Sequence, residues 1–74
     1  MEIINGWIFC NKYTNSGKRV LSAISLNAIT EIAEHDNGHA LIIMNYDNGI
    51  IETDANIVDA LDELTKYLTN NQCQ

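Results

Sequence analysis

The sequence lacks the patterns that mark a secreted, disulfide-rich or membrane protein. It has 74 residues, no proline and only two cysteines. Cys10 and Cys73 lie too far apart to define a disulfide framework, so we expect two reduced thiols. No apolar run is long enough to cross a bilayer, and the N-terminus has neither the basic region nor the apolar stretch of a signal peptide. We therefore expect one soluble, cytoplasmic domain with no membrane partner.

Catalytic and metal-binding patterns are also missing. No acid and base pair, activated nucleophile or cluster of metal ligands is visible. His35 and His39 have an H-x3-H spacing, which on a helix would place both rings on one side for a metal ion. Gly38 and the turn formers before it disfavour a helix, so we expect two ordinary histidines on an exposed hairpin. Cys10 is predicted to be a buried small side chain. The sequence predicts no enzyme, no metal site and no cofactor.

Acidic residues are absent from one long stretch of the chain. Residues 3–30 contain no Asp or Glu but three of the four Lys and Arg residues. Because Glu2 is the only acid before residue 31, the chain through residue 30 carries +2, whereas nine acids and one lysine give −8 after it. Charge segregation of this kind can create an anion site at one end and a repulsive or mimicking surface at the other, but it does not identify a function.

Turn formers divide the chain into five elements. Strands are predicted for residues 3–10 and 19–26, joined by a polar loop over residues 11–17. A second hairpin is predicted at Asp47-Asn48-Gly49, which separates two apolar runs, because Asn-Gly tolerates the positive φ of a type I′ turn.

The last element is predicted to be an amphipathic helix. Apolar residues at intervals of four, three and four form one stripe, and acids face away from it. Thr53, Asp54 and Asn56 each offer a capping oxygen. The apolar stripe of this helix consists of Ile57, Leu61, Leu64 and Leu68. The domain is predicted to span residues 1–68, and the polar residues 69–74 to form a disordered tail.

Residues 27–35 fit two structures. Asn27 is placed to cap a short helix, and the following Ile and Ala residues have helical spacing. A strand would instead pair directly with the next apolar run across Asp36-Asn37-Gly38. We favour the strand because of a resemblance to a known family.

The segment Leu26 to Ile32, the run Leu41 to Met44, Asn48-Gly49 and Glu52-Thr53 before an amphipathic helix resemble the small FlbD-like family of flagellar and swarming-motility proteins. The resemblance covers roughly residues 20–68 and implies a strand, an Asn-Gly hairpin, a C-terminal helix and a motility-linked role. The layout is also similar to that of small phage-encoded proteins, which implies an accessory, anti-defence role.

Both faces of the predicted sheet are apolar. One helix, about 10 Å wide, covers only one face of a sheet whose strands repeat at about 4.8 Å. We expect the second face to be covered by another copy of the chain; the alternative is a monomer whose sheet curls around a small core. In the first strand one face carries Ile3, Trp7 and Phe9, and the other Ile4, Ile8 and Cys10. The predicted interface residues are Trp7, Phe9, Leu41 and Ile43.

The loop between the first two strands is the strongest candidate site. Residues 11–19, the loop with the two residues after it, combine a flexible glycine, hydroxyl and amide side chains and three cations, which are components of phosphate-binding pockets. Its tyrosine is suited to stack on a base. It is not a Walker motif, because the G-x4-G-K-[ST] spacing is missing, and an incidental polar hairpin tip is the alternative. The predicted ligand-binding residues are Lys12, Tyr13, Asn15, Ser16, Lys18 and Arg19.

The sequence therefore predicts an α+β protein, a small antiparallel sheet of four to five strands in two hairpins with one C-terminal helix. Its predicted function is binding, as a homo-oligomer that sequesters a small anionic or nucleotide-like ligand. The alternatives are an FlbD-like motility factor and an acidic inhibitor or adaptor of a host protein. Direct nucleic-acid binding is not expected. The acids of the adaptor surface would include Asp54, Asp59, Asp62 and Glu63.

Overall fold

The protein folds as a curled antiparallel sheet with one C-terminal helix, which confirms the predicted α+β class. The computed structural model describes residues 1–47 and 49–72. A 3₁₀ turn, Leu26–Ala28, joins the two halves of the sheet. In chain order the elements are β1 Glu2–Ile4, β2 Trp7–Tyr13, β3 Arg19–Ser25, β4 Ile29–Glu34, β5 His39–Met44, β6 Ile50–Asn56 and α1 Ile57–Gln72. Within these ranges no helix is both long and apolar enough to span a membrane.

Strand β2 is the centre of the sheet. β3 pairs with β2 along its whole length, so β1 and β6 share the other edge of β2. β1 pairs with residues 7–9, and β6 joins at the pair Lys12 and Thr53. The sheet continues from β6 to β5 and then to β4. This order puts β3 and β4 at the two ends of the sheet.

The first predicted strand is wrong, because Asn5-Gly6 folds it into a tight hairpin. Asn5 has φ 51° and Gly6 has φ 83°, as a two-residue type I′ turn requires. Ile3 therefore lies opposite Ile8, and Ile4 opposite Trp7. The predicted faces change accordingly: Ile3 joins Ile8 on the inner face, and Ile4 joins Trp7 on the outer face.

Strand β4 confirms the strand predicted within residues 27–35. Its hairpin with β5 closes through His35, whose N–H donates to the carbonyl of His39 at 2.8 Å. Asn37 orders the turn, because its side-chain oxygen accepts from the His39 N–H at 2.9 Å. The register shifts after Ile29, which leaves Thr30 as an extra residue in β4.

The predicted second hairpin is also confirmed, between β5 and β6. Its connection comprises residues 45–49, and the predicted type I′ turn involves Asn48, which lies outside the described residues. Gly49 is buried, and a Cβ atom there would lie only 2.6 Å from the Cβ of Met44. Close packing therefore requires a glycine at this position.

One core lies inside the curled sheet. Ile29 and Ile32 of β4 pack against the same cluster as Ile24 of β3. Because β3 and β4 are the two ends of the sheet, they share a core only if the sheet curls. The inner face is thus enclosed by the chain itself, so the expectation of a second copy concerns the outer face, where Trp7, Phe9 and Leu21 are exposed. The buried cluster consists of Ile8, Cys10, Ile24 and Ile42.

Helix α1 packs on a second, smaller buried cluster, which adjoins the first at Met1 and Ile32. Ile57 and Ala60 are buried against Ala40 of β5. The predicted stripe is wrong at Leu61 and Leu68, which are 44% and 48% exposed. The buried side of the helix therefore includes the small residue Ala60, which is fully buried, rather than the two leucines.

The helix begins after Asn56, whose side-chain oxygen accepts from the Val58 N–H at 2.9 Å. Of the three predicted capping residues, Asn56 is therefore the one that caps. The helix ends at Gln72, so residues 69–72 of the predicted tail are helical, and Cys73 and Gln74 lie outside the described residues.

Thr53 marks the corner where β6 passes from β5 to β2. The pairs Leu41 with Glu52 and His39 with Asn56 leave three β6 residues, 53–55, opposite one residue of β5, Ala40. The regular ladder is interrupted there. The hydroxyl of buried Thr53 donates to the Ala40 carbonyl at 2.8 Å, which supplies a hydrogen bond at this point.

Candidate functional site

An open groove lies where the β2–β3 loop meets β5 and β6. Its volume is about 380 Å³. One wall comes from the end of β2 and the loop after it, and the other from β5, β6 and His35 of the β4–β5 turn. The pairing of Lys12 with Thr53 brings these segments together. The lining residues are Tyr13, Thr14, Asn15, His35, Leu41, Ile50 and Glu52.

Thr14 organises the loop wall. Its N–H donates to the Lys18 carbonyl at 2.8 Å, and its carbonyl accepts from the Gly17 N–H at 2.8 Å. Its hydroxyl oxygen accepts from the Lys18 N–H at 3.2 Å and lies 2.9 Å from the hydroxyl of Ser16. The predicted loop is therefore an ordered turn, and it holds Tyr13 and Asn15 at the edge of the groove.

The opposite wall carries a histidine and a carboxylate. The Nε2 atom of His35 lies 3.1 Å from the Oε1 atom of Glu52, which fixes both side chains. The Nδ1 atoms of His35 and His39 are buried and have no hydrogen-bond partner among the described residues. Both histidines are half-buried, whereas Asp36 and Asn37 between them are exposed, as expected for an exposed hairpin.

The three cations of the predicted site take different positions. Strand alternation puts Lys12 on the inner side with Cys10, and Tyr13 and Arg19 on the outer side. Arg19 forms an ion pair with Asp54, with Nη1 and Oδ2 3.3 Å apart. Lys18 is exposed in the loop. The structure thus brings Tyr13 and Asn15 to the groove, whereas Lys12, Ser16, Lys18 and Arg19 do not line it.

The predicted interface residues divide into two groups. Trp7 and Phe9 are 47% and 41% exposed on the outer face of β2. Leu41 and Ile43 are half-buried on β5, and Leu41 lines the groove. Trp7 and Phe9 are part of an apolar outer face, which also includes Ile4, Leu21 and Ala23 by strand register.

Cys10 is confirmed as a buried thiol, 6% exposed. Burial raises the pKa of the Cys10 thiol above its ordinary value, which lowers the thiolate fraction and makes it a poor nucleophile. Across residues 1–47 and 49–72 no group of three His, Cys, Asp or Glu side chains is arranged to hold a metal ion. The side chains that line the groove offer aromatic, amide, imidazole and carboxylate groups for binding.

Sequence reasoning missed His35, Ile50 and Glu52 as partners of the loop. Nothing in the linear pattern marks them, because only the β2–β6 pairing brings Glu52 beside the end of β2. One local signal was available: the isolated Asn5-Gly6 predicts the first hairpin and therefore the outer position of Ile4.

No protein family model, curated protein or solved structure matches this chain.

Proposed function

We propose that this chain is a small, non-enzymatic binding protein that acts as a homo-oligomer and holds a small anionic, nucleotide-like ligand in the groove. The observation that carries the proposal is the groove beside the basic loop. Its volume of about 380 Å³ lies within the range of about 300 to 1,000 Å³ that is typical of small-molecule sites. An accessory role in a phage or mobile element is consistent with such sequestration.

The chemistry of the lining favours a base over a bare anion. Tyr13, Leu41 and Ile50 offer aromatic and apolar surface for a planar ring. The Glu52 carboxylate repels a phosphate placed directly against it, but it accepts hydrogen bonds from an amino group on a base. The ligand class that satisfies both conditions is a nucleotide whose base bears an amino group.

The phosphate end of such a ligand would lie toward the loop. Lys18 is exposed and forms no ion pair in the described part of the chain. Arg19 already pairs with Asp54 at 3.3 Å. Lys18 is therefore the cation that gains most from a phosphate, through a charge-assisted hydrogen bond.

Thermal unfolding with a panel of nucleotides tests this function. We expect adenine, guanine or cytosine nucleotides to raise the Tm, and inorganic phosphate alone to leave it unchanged. Lys18→Ala should weaken binding about tenfold, or about 1.4 kcal/mol. Lys66→Ala is the matched control, because Lys66 lies on α1 and pairs with Asp62. If no nucleotide shifts the Tm, or if both lysine variants lose affinity equally, the groove is not the proposed site.

A second function, an acidic adaptor, is supported by the outer face of α1. Val58 and Leu61 are 70% and 44% exposed beside the acids Asp59 and Asp62. An amphipathic helix of this kind suits binding in the groove of a basic partner. A lysate pull-down should recover a protein with the wild type and lose it with Asp59→Lys plus Asp62→Lys. Recovery of the same protein by both baits would contradict this role.

The FlbD-like motility role stays a prediction. A gene position beside flagellar genes would support it, whereas a position within a prophage would contradict it and favour the accessory role.

A further inference from the structure

Strand β3 has one free edge that is suited to pair with another strand. β3 pairs only with β2 in the part of the chain that the structure describes. The hairpin bond from Thr14 to Lys18 at one end and the bond from the Leu26 N–H to the Gly6 carbonyl at the other fix the alternation of the ladder. By this alternation, every second residue of β3 directs its N–H and C=O away from β2. These residues are Arg19, Leu21, Ala23 and Ser25.

This edge has only one of the features that normally prevent strands from pairing between molecules, the charge of Arg19 at its first residue, and Arg19 is paired with Asp54. Such edges are protected by inward charges, prolines, bulges or short length. β3 is seven residues long, pairs with β2 without a bulge, and carries no charge after Arg19.

The other end of the sheet is protected. Strand β4 has a bulge at Thr30 and carries the exposed acids Glu31 and Glu34. The contrast between the two ends singles out β3 as the strand that another chain would meet.

We propose that two copies of this chain pair through β3, antiparallel and related by a two-fold axis at Ser22. Leu21 of each copy would lie opposite Ala23 of the other, and Arg19 opposite Ser25, so all outward backbone groups find partners. No like charges meet along the joined edge. The inference rests on the proposed homo-oligomeric function, and it names the contact.

The outer apolar face would continue across the joined edge. Leu21 is 80% exposed; in the paired register it lies next to the partner's Ala23, which is itself opposite Phe9 on β2. The joined sheet therefore forms one continuous apolar surface from both copies.

The distribution of net charge also favours contact between copies through the half of the molecule that contains β3. Residues 1–30 carry +2 and the rest of the chain −8. Contact through β3 brings the weakly charged halves together and keeps the acidic halves apart, which minimises repulsion between copies.

Sedimentation equilibrium of the wild type and two variants tests the proposal. We expect the wild type to have twice the monomer mass of 8.3 kDa. Leu21→Lys places a charge in the joined edge and should give a folded monomer. Val58→Lys is the matched control, because Val58 is 70% exposed on α1, and it should remain a dimer.

Amide hydrogen exchange separates strand pairing from contact through side chains alone. The N–H groups of Leu21 and Ala23 should be protected in the dimer and exchange fast in Leu21→Lys. A wild-type monomer at every concentration would overturn both the pairing and the homo-oligomeric function. A dimer that survives Leu21→Lys, or that leaves these two amides unprotected, would overturn the β3 pairing alone. Nucleotide binding is measured separately, so its failure is distinguishable from either result.

Discussion

The hydrogen bond from Thr53 to Ala40 should make a measurable contribution to stability. Thr53 is 1% exposed, and its hydroxyl donates to the Ala40 carbonyl at 2.8 Å. Valine has nearly the same shape but no hydroxyl, so Thr53→Val leaves the carbonyl without this donor. An unsatisfied buried group costs about 1 to 3 kcal/mol, and the added buried methyl group recovers about 0.8 kcal/mol at most. The difference is a net loss of about 0.2 to 2.2 kcal/mol. Valine also removes the acceptor of the Ala55 N–H, which lies 3.3 Å from the Thr53 hydroxyl oxygen, so we expect a loss in the upper part of this range, about 1 to 2 kcal/mol.

Thermal unfolding followed by circular dichroism measures this effect. For a domain of this length, about 1 kcal/mol corresponds to about 4 to 8 °C in Tm, so the Tm should fall by at least about 4 °C. Thr30→Val is the control: Thr30 is exposed, and its hydroxyl donates to the Ile43 carbonyl at 3.2 Å, where water can replace it. This control should change stability by less than about 0.5 kcal/mol. Equal Tm values for Thr53→Val and the wild type would refute the reasoning.

Three further predictions concern the helix cap, the second hairpin and the buried thiol. Asn56→Ala removes the acceptor of the Val58 N–H and should cost about 1 kcal/mol, whereas Asn56→Asp should retain the Tm; equal Tm values for both variants would contradict the cap. Gly49→Ala places a methyl group 2.6 Å from the Met44 Cβ and should cost about 1 to 3 kcal/mol in urea unfolding; an unchanged midpoint would contradict the close packing. Burial raises the pKa of the Cys10 thiol above its ordinary value, so the stability gained by burying the neutral thiol is fully present below the pKa of the unfolded state and is lost as the pH rises through the higher pKa of the folded state. In a Cys73→Ser variant, Cys10 should react with a thiol reagent about tenfold slower when folded than in urea, and equal rates would contradict its burial.

Local patterns in the sequence predict most of the secondary structure. The Asn-Gly and Asp-Asn-Gly segments identify hairpins because few residues adopt the turn conformations they need. The amphipathic period predicts α1, although its buried side is set by the packing of Ala60 on Ala40. Ala60 is small and contributes little to a hydrophobic pattern, so the sequence alone favours the larger Leu61 and Leu68.

The groove was only half predictable. Tyr13 and Asn15 belong to a polar loop that stands out in composition, whereas Glu52 reaches the groove only because β6 crosses from β5 to β2 at Thr53. Such a crossing depends on how the sheet curls, and the curl depends on contacts between residues far apart in the chain. The ion pair of Arg19 with Asp54 could not be predicted from the sequence either, because it joins residues that lie far apart in the basic and acidic halves of the chain.

Chemical-shift mapping of the ¹⁵N-labelled protein during titration with a nucleotide tests the central claim most directly. The account predicts saturable shifts concentrated at Tyr13, Asn15, His35 and Glu52, with Lys18→Ala weakening the titration about tenfold. Shifts confined to α1, or the absence of any saturable shift with every nucleotide that bears an amino group, would contradict it.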